Sequence, residues 1–480
     1  MIPTLTLFTT IMLVVGGVIG SGIFRKPGVM AGQLGSPELL LGVWLLAGII
    51  TLMGALTNAE IAGMIPETGG QYVYFDRIYG PFAGFLYGWS IFSVMQTGSI
   101  AALAYVFAEY AAAFFRLPDV TGPAASFSVY LPFIGHVTPL KESGIKAVAA
   151  AVIIVLTAVN YIGTKFGGWV QNIFTFAKLG GMFLLVLAAF FLPNGGTVLN
   201  LQADSPVIQP HGLALWAALA AGLQGAFWAY DGWNKITFVS GEVLDPQRNV
   251  PRSLFIGMSA VMAVYLLMNA AYTFVLPIDA MASSKLVAAD VAEKCFPGGG
   301  KWIALVVMVS TFGAANSSIL SSARVYFSMA RRKVFPGFLG VAHPKFHTPG
   351  AALILQAGWS LLLLSSGTFD TLTDTLIFVS WIFYGASAYG VIALRRREPE
   401  TPRPYKVPGY PALPWIFVLF SVVFLVLTIY GDITNYRNAV AAGKPAMVNS
   451  AFGIFLVLLG TPIYLCYKLK RSAFPNSRRQ

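Results

Sequence analysis

The chain is 480 residues long, 56% hydrophobic and only 10% charged, with a mean hydropathy of +0.71. Apolar burial in water-soluble folds is limited by surface scaling, so no soluble domain of this length buries that much. The formal net charge of +12 does not point to nucleic acid, because the positive residues lie between hydrophobic runs, where membrane topology places them.

Many runs exceed the roughly 18 residues needed to cross a bilayer's hydrocarbon core. Twelve spans are read near 8–24 (extending to about 33), 38–63, 81–115, 146–164, 169–192, 213–240, 254–276, 302–329, 350–366, 371–394, 412–431 and 450–468. Gly and Pro punctuate most junctions, as at Pro66-Glu67-Thr68-Gly69-Gly70 and Pro297-Gly298-Gly299-Gly300. The expected fold is an all-α polytopic membrane protein forming a single membrane domain. A first set of five spans covers 8–192, a second covers 213–394, and two further spans cover 412–468.

Span 1 is interrupted at Val15-Gly16-Gly17-Val18-Ile19-Gly20-Ser21-Gly22-Ile23-Phe24. Glycine accepts backbone conformations that other residues resist. A half-helix restarting at Gly22 presents unpaired N–H groups and a positive dipole end, a ready site for a carboxylate. Close helix packing through Gly16 and Gly20 is the alternative. Residues 1–30 lack a basic leading region and a small-residue cleavage site, so this run is read as a span and not a leader. Glu60, toward the inner end of span 2, and Glu109, toward the outer end of span 3, read as structural or snorkelling acids. Span 3 is long enough to require tilt.

Span 5 places Lys178 near its middle, too deep to snorkel easily. A buried ammonium must pair or lose its proton. Lys178 therefore either ties helix ends together or carries a proton. Span 6 breaks at Phe227-Trp228-Ala229-Tyr230-Asp231-Gly232-Trp233-Asn234. Asp231 at membrane depth is costly and normally functional. The carbonyls freed by unwinding are acceptors for an ammonium group, with Trp228 as a lid or packing face. The two breaks open the two sets of five spans, and matching interruptions of this kind mark a transporter's substrate site. Carboxylate capture at one break and ammonium capture at the other describes a site for a zwitterionic amino acid. Asn316-Ser317-Ser318 and Ser321-Ser322 in span 8 read either as helix glue or as site residues.

Lys and Arg favour one side of the membrane by nearly two to one, and the clusters Arg331-Arg332-Lys333, Arg395-Arg396-Arg397 and Lys468 to Arg471 agree. Both termini are therefore expected on the cytoplasmic face of the cell (inner) membrane. Cys295 and Cys466 make no disulfide framework or zinc motif, and the four histidines fall in loops, against a haem-bearing subunit. No P-loop, nucleophile elbow or metal cluster is visible. No enzymatic activity, metal or cofactor is expected.

Gly16 through Phe24 resembles the span-1 signature of the amino acid–polyamine–organocation (APC) superfamily. Glu60-Ile61-Ala62-Gly63-Met64-Ile65-Pro66-Glu67-Thr68-Gly69-Gly70-Gln71-Tyr72 looks like the end of span 2 in its L-type amino acid transporter (LAT) branch. Phe174 to Leu179, Trp228 to Asn234, and Ser318 to Arg324 with Arg331 agree in order along nearly the whole chain. The resemblance implies a LeuT-type fold, ten core spans in two inverted repeats with spans 1 and 6 unwound at the midplane. It also implies sodium-independent exchange of L-amino acids, neutral ones first and cationic ones as a second range; proton-coupled symport on the same fold is the alternative. Carried over by position, Ser21 and Gly22 bind the substrate carboxylate, and Ile19 with the carbonyls around Phe227 and Ala229 takes the amino group. Trp228 falls at the aromatic gate, and Tyr230, Asp231, Gly232 and Asn234 complete the second break. Lys178 bridges spans 1, 5 and 8 through Gly20 and Ser317 or Ser318. Departures are Trp in place of Phe at the gate, Asp231 where many neutral-preferring members have Gly, and no cysteine within 116–145. The last removes the expectation of a disulfide-linked heavy-chain partner and fits a microbial member.

Overall fold

In hydrocarbon every backbone N–H and C=O must find its partner inside the protein, which a helix achieves residue by residue. The computed structural model is accordingly helical. It describes residues 3–121, 127, 129–131, 135–137, 139–202, 209–366, 369–442 and 448–473. Lys444, Arg478 and Arg479, part of the charge asymmetry above, lie outside the described residues.

Helix 1 runs from Leu7 to Leu34 with a break inside it. Helices 2 to 5 are Pro37–Met64, Pro81–Ala111, Ser143–Ile162 and Thr164–Phe191. Helix 6 is Leu213–Tyr230, continued after a break by Lys235–Phe238. Helices 7 and 8 are Pro246–Val275 and Gly299–Arg331, helix 9 is the shorter Gly350–Ser366, and helix 10 is Phe369–Arg397. Helices 11 and 12 are Ala412–Ala441 and Asn449–Leu469. Among the described residues eleven of these are long and apolar enough to cross a membrane, helix 9 being the shorter one. The chain is a polytopic membrane protein.

Helix 3 accommodates its length with a wider turn at Ile91–Met95, where the Thr97 hydroxyl donates to Phe92 O at 2.5 Å. The loop before helix 4 contains a small antiparallel hairpin, Val129–Leu131 against Gly135–Val137. Two short helices, Ile278–Ser283 and Val287–Cys295, fill the connection between helices 7 and 8.

Burial sorts the helices into layers. The apolar stretch of helix 3 is 89% buried and that of helix 12 only 17%, which puts the former at the centre and the latter at the periphery. Leu419, Val422 and Val426 on helix 11 face outward. In water such a surface signals a binding patch, but on a membrane helix it is the lipid face.

The two acids read as structural are both ion-paired. Glu60 lies buried against Arg395 at 2.7 Å and Arg403 at 3.4 Å, and also accepts from the Val407 N–H at 2.7 Å. Glu109 pairs with Arg25 of helix 1. On the N-terminal face, Arg324 and Glu242 form a second buried pair at 2.9 Å. The N–H groups of Thr4 and Leu5 donate to Glu242 O, so the chain start is fastened to the segment after helix 6.

Candidate functional site

Helix 1 leaves helical geometry at Ile19 (ψ 97°) and restarts at Gly22. Stopping a helix orphans its last carbonyls, and restarting it orphans the next N–H groups. Here the carbonyl end is satisfied by side chains from four other helices. Lys178 Nζ of helix 5 donates to Gly16 O at 2.7 Å and to Ile19 O at 2.5 Å. Lys235 Nζ, just past the second break, reaches Gly17 O at 3.2 Å. The Tyr265 hydroxyl of helix 7 lies 3.2 Å from Val18 O and 2.9 Å from Ala229 O, bridging the two breaks. The Ser310 hydroxyl of helix 8 lies 3.3 Å from both Ile19 O and Gly20 O. Two buried ammonium groups at a helix C-terminus also complement its negative dipole end.

The other side of the break is different. Ser21 is buried, its hydroxyl has no hydrogen-bond partner, and it does not cap the helix that follows. Its carbonyl begins that helix by accepting from the N–H groups of Phe24 and Arg25. The restarted turn therefore offers its first N–H groups and one free hydroxyl to whatever lies beside them.

Helix 6 stops at Tyr230, and Asp231 takes an extended conformation (ψ 155°). Gly232 has φ +103°, and a Cβ there would stand 2.6 Å from Gly17 O, so only glycine fits. A Cβ on Gly22 would likewise stand 2.5 Å from Ala229 Cα. The two breaks thus touch backbone to backbone. Asn234 fastens the second break outward, its Nδ2 donating to Gln71 Oε1 at 2.8 Å while the Tyr87 hydroxyl donates to the same oxygen at 2.6 Å. The carboxylate of Asp231 accepts from the Tyr384 hydroxyl of helix 10 at 2.6 Å.

Between the breaks lies a cavity of about 20 Å³ lined by Ser21, Ser99, Leu103, Trp228, Asp231 and Lys235 with the Gly17 to Gly22 backbone. That is room for about one water, so the cavity must enlarge to take an amino acid. Of the residues singled out from sequence, Gly20, Ser21, Gly22, Trp228 and Asp231 line this cavity. Phe227 turns away onto Trp381, with ring centres 4.1 Å apart, and Tyr230 turns onto Trp44 and Tyr265. Ile19, Ala229, Gly232 and Asn234 shape the breaks from behind, as described above. Lys178 bonds Gly16 and Ile19, where Gly20 and Ser317 or Ser318 were expected as the bridge. Helix 8 bonds the break through Ser310, about two turns nearer that helix's start. The Ser318 hydroxyl instead bonds Ala314 O within its own helix at 3.1 Å. Lys235, Tyr265 and Ser310 carry no motif; only Lys235 was detectable, as a second charge inside a span.

Two interlocked broken helices enclosing a buried polar cavity define a solute carrier of the membrane, and the comparisons with known proteins agree. The family model described as amino acid permease matches residues 5–465, so the chain belongs to the amino acid permease family, within the APC superfamily. It is 33% identical over 453 residues to the large neutral amino acids transporter small subunit 2 of Mus musculus, covering 94% of this chain and 78% of that one. It is 31% identical over 472 residues to the serine/threonine exchanger SteT of Bacillus subtilis (strain 168), covering 97% of each. The b(0,+)-type amino acid transporter 1 of Mus musculus is 31% identical over 421 residues, covering 88% and 81%. These relatives are amino acid transporters and a bacterial serine/threonine exchanger, and the chain is an amino acid transporter, not an enzyme.

Proposed function

We propose that this chain exchanges L-amino acids across the cell membrane, neutral ones above all, without sodium. The observation that carries the reading is the asymmetry of the first break. Its carbonyl end is fully engaged by protein, while Ser21 Oγ and the restarted turn face the cavity unengaged. A substrate carboxylate is the group that complements such an end, and Trp228 and Asp231 line the same cavity. Lys178 occupies the junction of helices 1 and 5 with its amine bonded to two carbonyls, which supports a site that has no need of a metal cation there. The serine/threonine exchanger among the relatives supports exchange and small neutral substrates.

In this reading helix 9 is a twelfth span, and helices 1–5 and 6–10 are inverted repeats of the LeuT type. Helices 1 and 6 rock against the rest to expose the cavity alternately to the two sides. Both termini are cytoplasmic by the charge asymmetry, and the transporter works without a disulfide-linked partner. A second reading is proton-coupled symport. What favours it is that Lys178 is fully buried and its bonds go to neutral carbonyls alone. Such an ammonium has no counter-ion to hold its proton.

The test is transport by purified protein in liposomes, following labelled alanine, serine, leucine and arginine with and without internal amino acid. Uptake that requires internal substrate and ignores sodium and pH gradients supports exchange. Accumulation into empty liposomes under an imposed proton gradient selects symport. No uptake of any amino acid sinks both.

A further inference from the structure

The cavity between the breaks carries one acid and one base that no substrate group considered so far requires together. Asp231 is buried and its Oδ1 accepts from the Tyr384 hydroxyl at 2.6 Å. Lys235, four residues on, is buried and donates to Gly17 O at 3.2 Å. Both line the same cavity of about 20 Å³. Among the described residues neither is in an ion pair within 4.0 Å, with each other or with any other group. Gly232, at φ +103°, turns the chain between them so that each is held by a neutral neighbour. The two charges therefore face one cavity with opposite sign and without a contact ion pair between them.

We propose that Lys235 is a specificity determinant that excludes dibasic amino acids by offsetting the field of Asp231. The inference rests on the reading of this cavity as the substrate site. The α-ammonium and α-carboxylate of any amino acid sum to zero charge, so only the side chain is sorted by the charges around it. Asp231 alone attracts a side-chain ammonium or guanidinium. Lys235, lining the same cavity, repels it, and like-charge juxtaposition in a desolvated site is strongly unfavourable. With both present, neutral side chains meet no net penalty and cationic ones gain nothing. At the dielectric of a protein interior, one unpaired charge a few Å away changes affinity by at least about tenfold.

The experiment is counterflow in liposomes loaded with serine, with labelled serine outside and alanine, arginine or glutamate as competitors. Wild-type protein should rank alanine well above arginine. Lys235→Gln should strengthen competition by arginine relative to alanine by at least about tenfold, and Lys235→Arg should keep the wild-type ranking. Asp231→Asn, which leaves Lys235 alone, should strengthen competition by glutamate by a similar factor. The proposal is overturned if Lys235→Gln exchanges serine with the wild-type ranking, or if wild-type protein already accepts arginine as readily as alanine. It is also overturned if both neutralised variants are monodisperse yet lose serine exchange, since the pair then holds the break together instead of sorting side chains. Wild-type protein that exchanges no amino acid removes the substrate-site reading itself, a result separable from all of these.

Discussion

Replacing Lys178 with Met keeps the length and apolar stem of the side chain and deletes its ammonium. The structure allows the consequence to be worked out. Two charge-assisted hydrogen bonds are lost, to Gly16 O at 2.7 Å and Ile19 O at 2.5 Å. Ile19 O keeps the Ser310 hydroxyl, so one carbonyl, that of Gly16, loses its side-chain donor. Hydrogen bonds to charged groups contribute about 1.5–3 kcal/mol each, and an orphaned buried acceptor costs about 1–3 kcal/mol. Against this, removing a buried ammonium relieves a desolvation penalty of several kcal/mol. The global stability of the protein should therefore change little, while the geometry of the break loses about 1–3 kcal/mol of support, a roughly five- to 150-fold shift in its occupancy. Serine exchange in liposomes should fall at least about fivefold while the melting temperature in detergent stays close to wild type. Lys178→Met protein that exchanges serine at the wild-type rate would refute the argument that this lysine maintains the break.

Gly22→Ala places a methyl group 2.5 Å from Ala229 Cα and 3.0 Å from Ala229 N. A backbone cannot rotate away as a side chain can, so exchange should be abolished in folded protein; measurable exchange would mean the breaks part at this point. Glu60→Gln leaves Arg395 and Arg403 facing a neutral amide. Breaking such a partly buried cluster should cost about 3 kcal/mol, read as a melting temperature lowered by several degrees with the substrate KM unchanged; an unchanged melting temperature would show that the pairs are ornamental. Arg77, hydrogen-bonded to Glu398 at 2.5 Å, holds that carboxyl below its ordinary range. A depressed acid contributes stability above its unfolded value, about 4.3, and loses it as pH falls through the folded value. The pair is partly exposed, so Arg77→Gln should cost under about 1 kcal/mol at pH 6. Wild type and variant should converge in thermal melts near pH 3, and a difference that persists there would contradict the assignment.

The two breaks were legible in the sequence because they interrupt long apolar runs with residues that suit turns, and the charges inside spans stood out for the same reason. What satisfies the breaks was not legible. Tyr265, Ser310 and Gln71 come from segments far along the chain, and a hydroxyl or amide in a hydrophobic helix looks the same whether it bonds its own turn or a distant carbonyl. Thr311 beside Ser310 bonds Val307 O within helix 8 at 2.8 Å, whereas Ser310 crosses to helix 1. The shift from Ser317 and Ser318 to Ser310 has the same origin: resemblance supplies positions, and the angle between helices decides which turn arrives. The wider turn in helix 3 was hidden too, because Ile91-Phe92-Ser93-Val94-Met95 is ordinary helix-compatible sequence.

The contacts around the first break differ in mechanical kind, and the difference bears on how helices 1 and 6 would move. Helix 1 meets helix 6 through backbone: Gly22 against Ala229 and the Gly17 carbonyl against Gly232. No rotamer can take up slack there, so the two broken helices shift together or not at all. At the break itself, helices 5, 7 and 8 hold the carbonyls of helix 1 through the ends of side chains, Lys178 Nζ, the Tyr265 hydroxyl and the Ser310 hydroxyl. Those groups can follow a displaced carbonyl or pass from one to its neighbour, and each already stands within reach of two carbonyls. If transport requires the cavity to open alternately, the interface able to slip is the one made of tethers, and the interface that must hold is the one made of glycine. Lysine, with its four-carbon stem and three donors, is suited to the tether. Glycine alone permits the backbone contact.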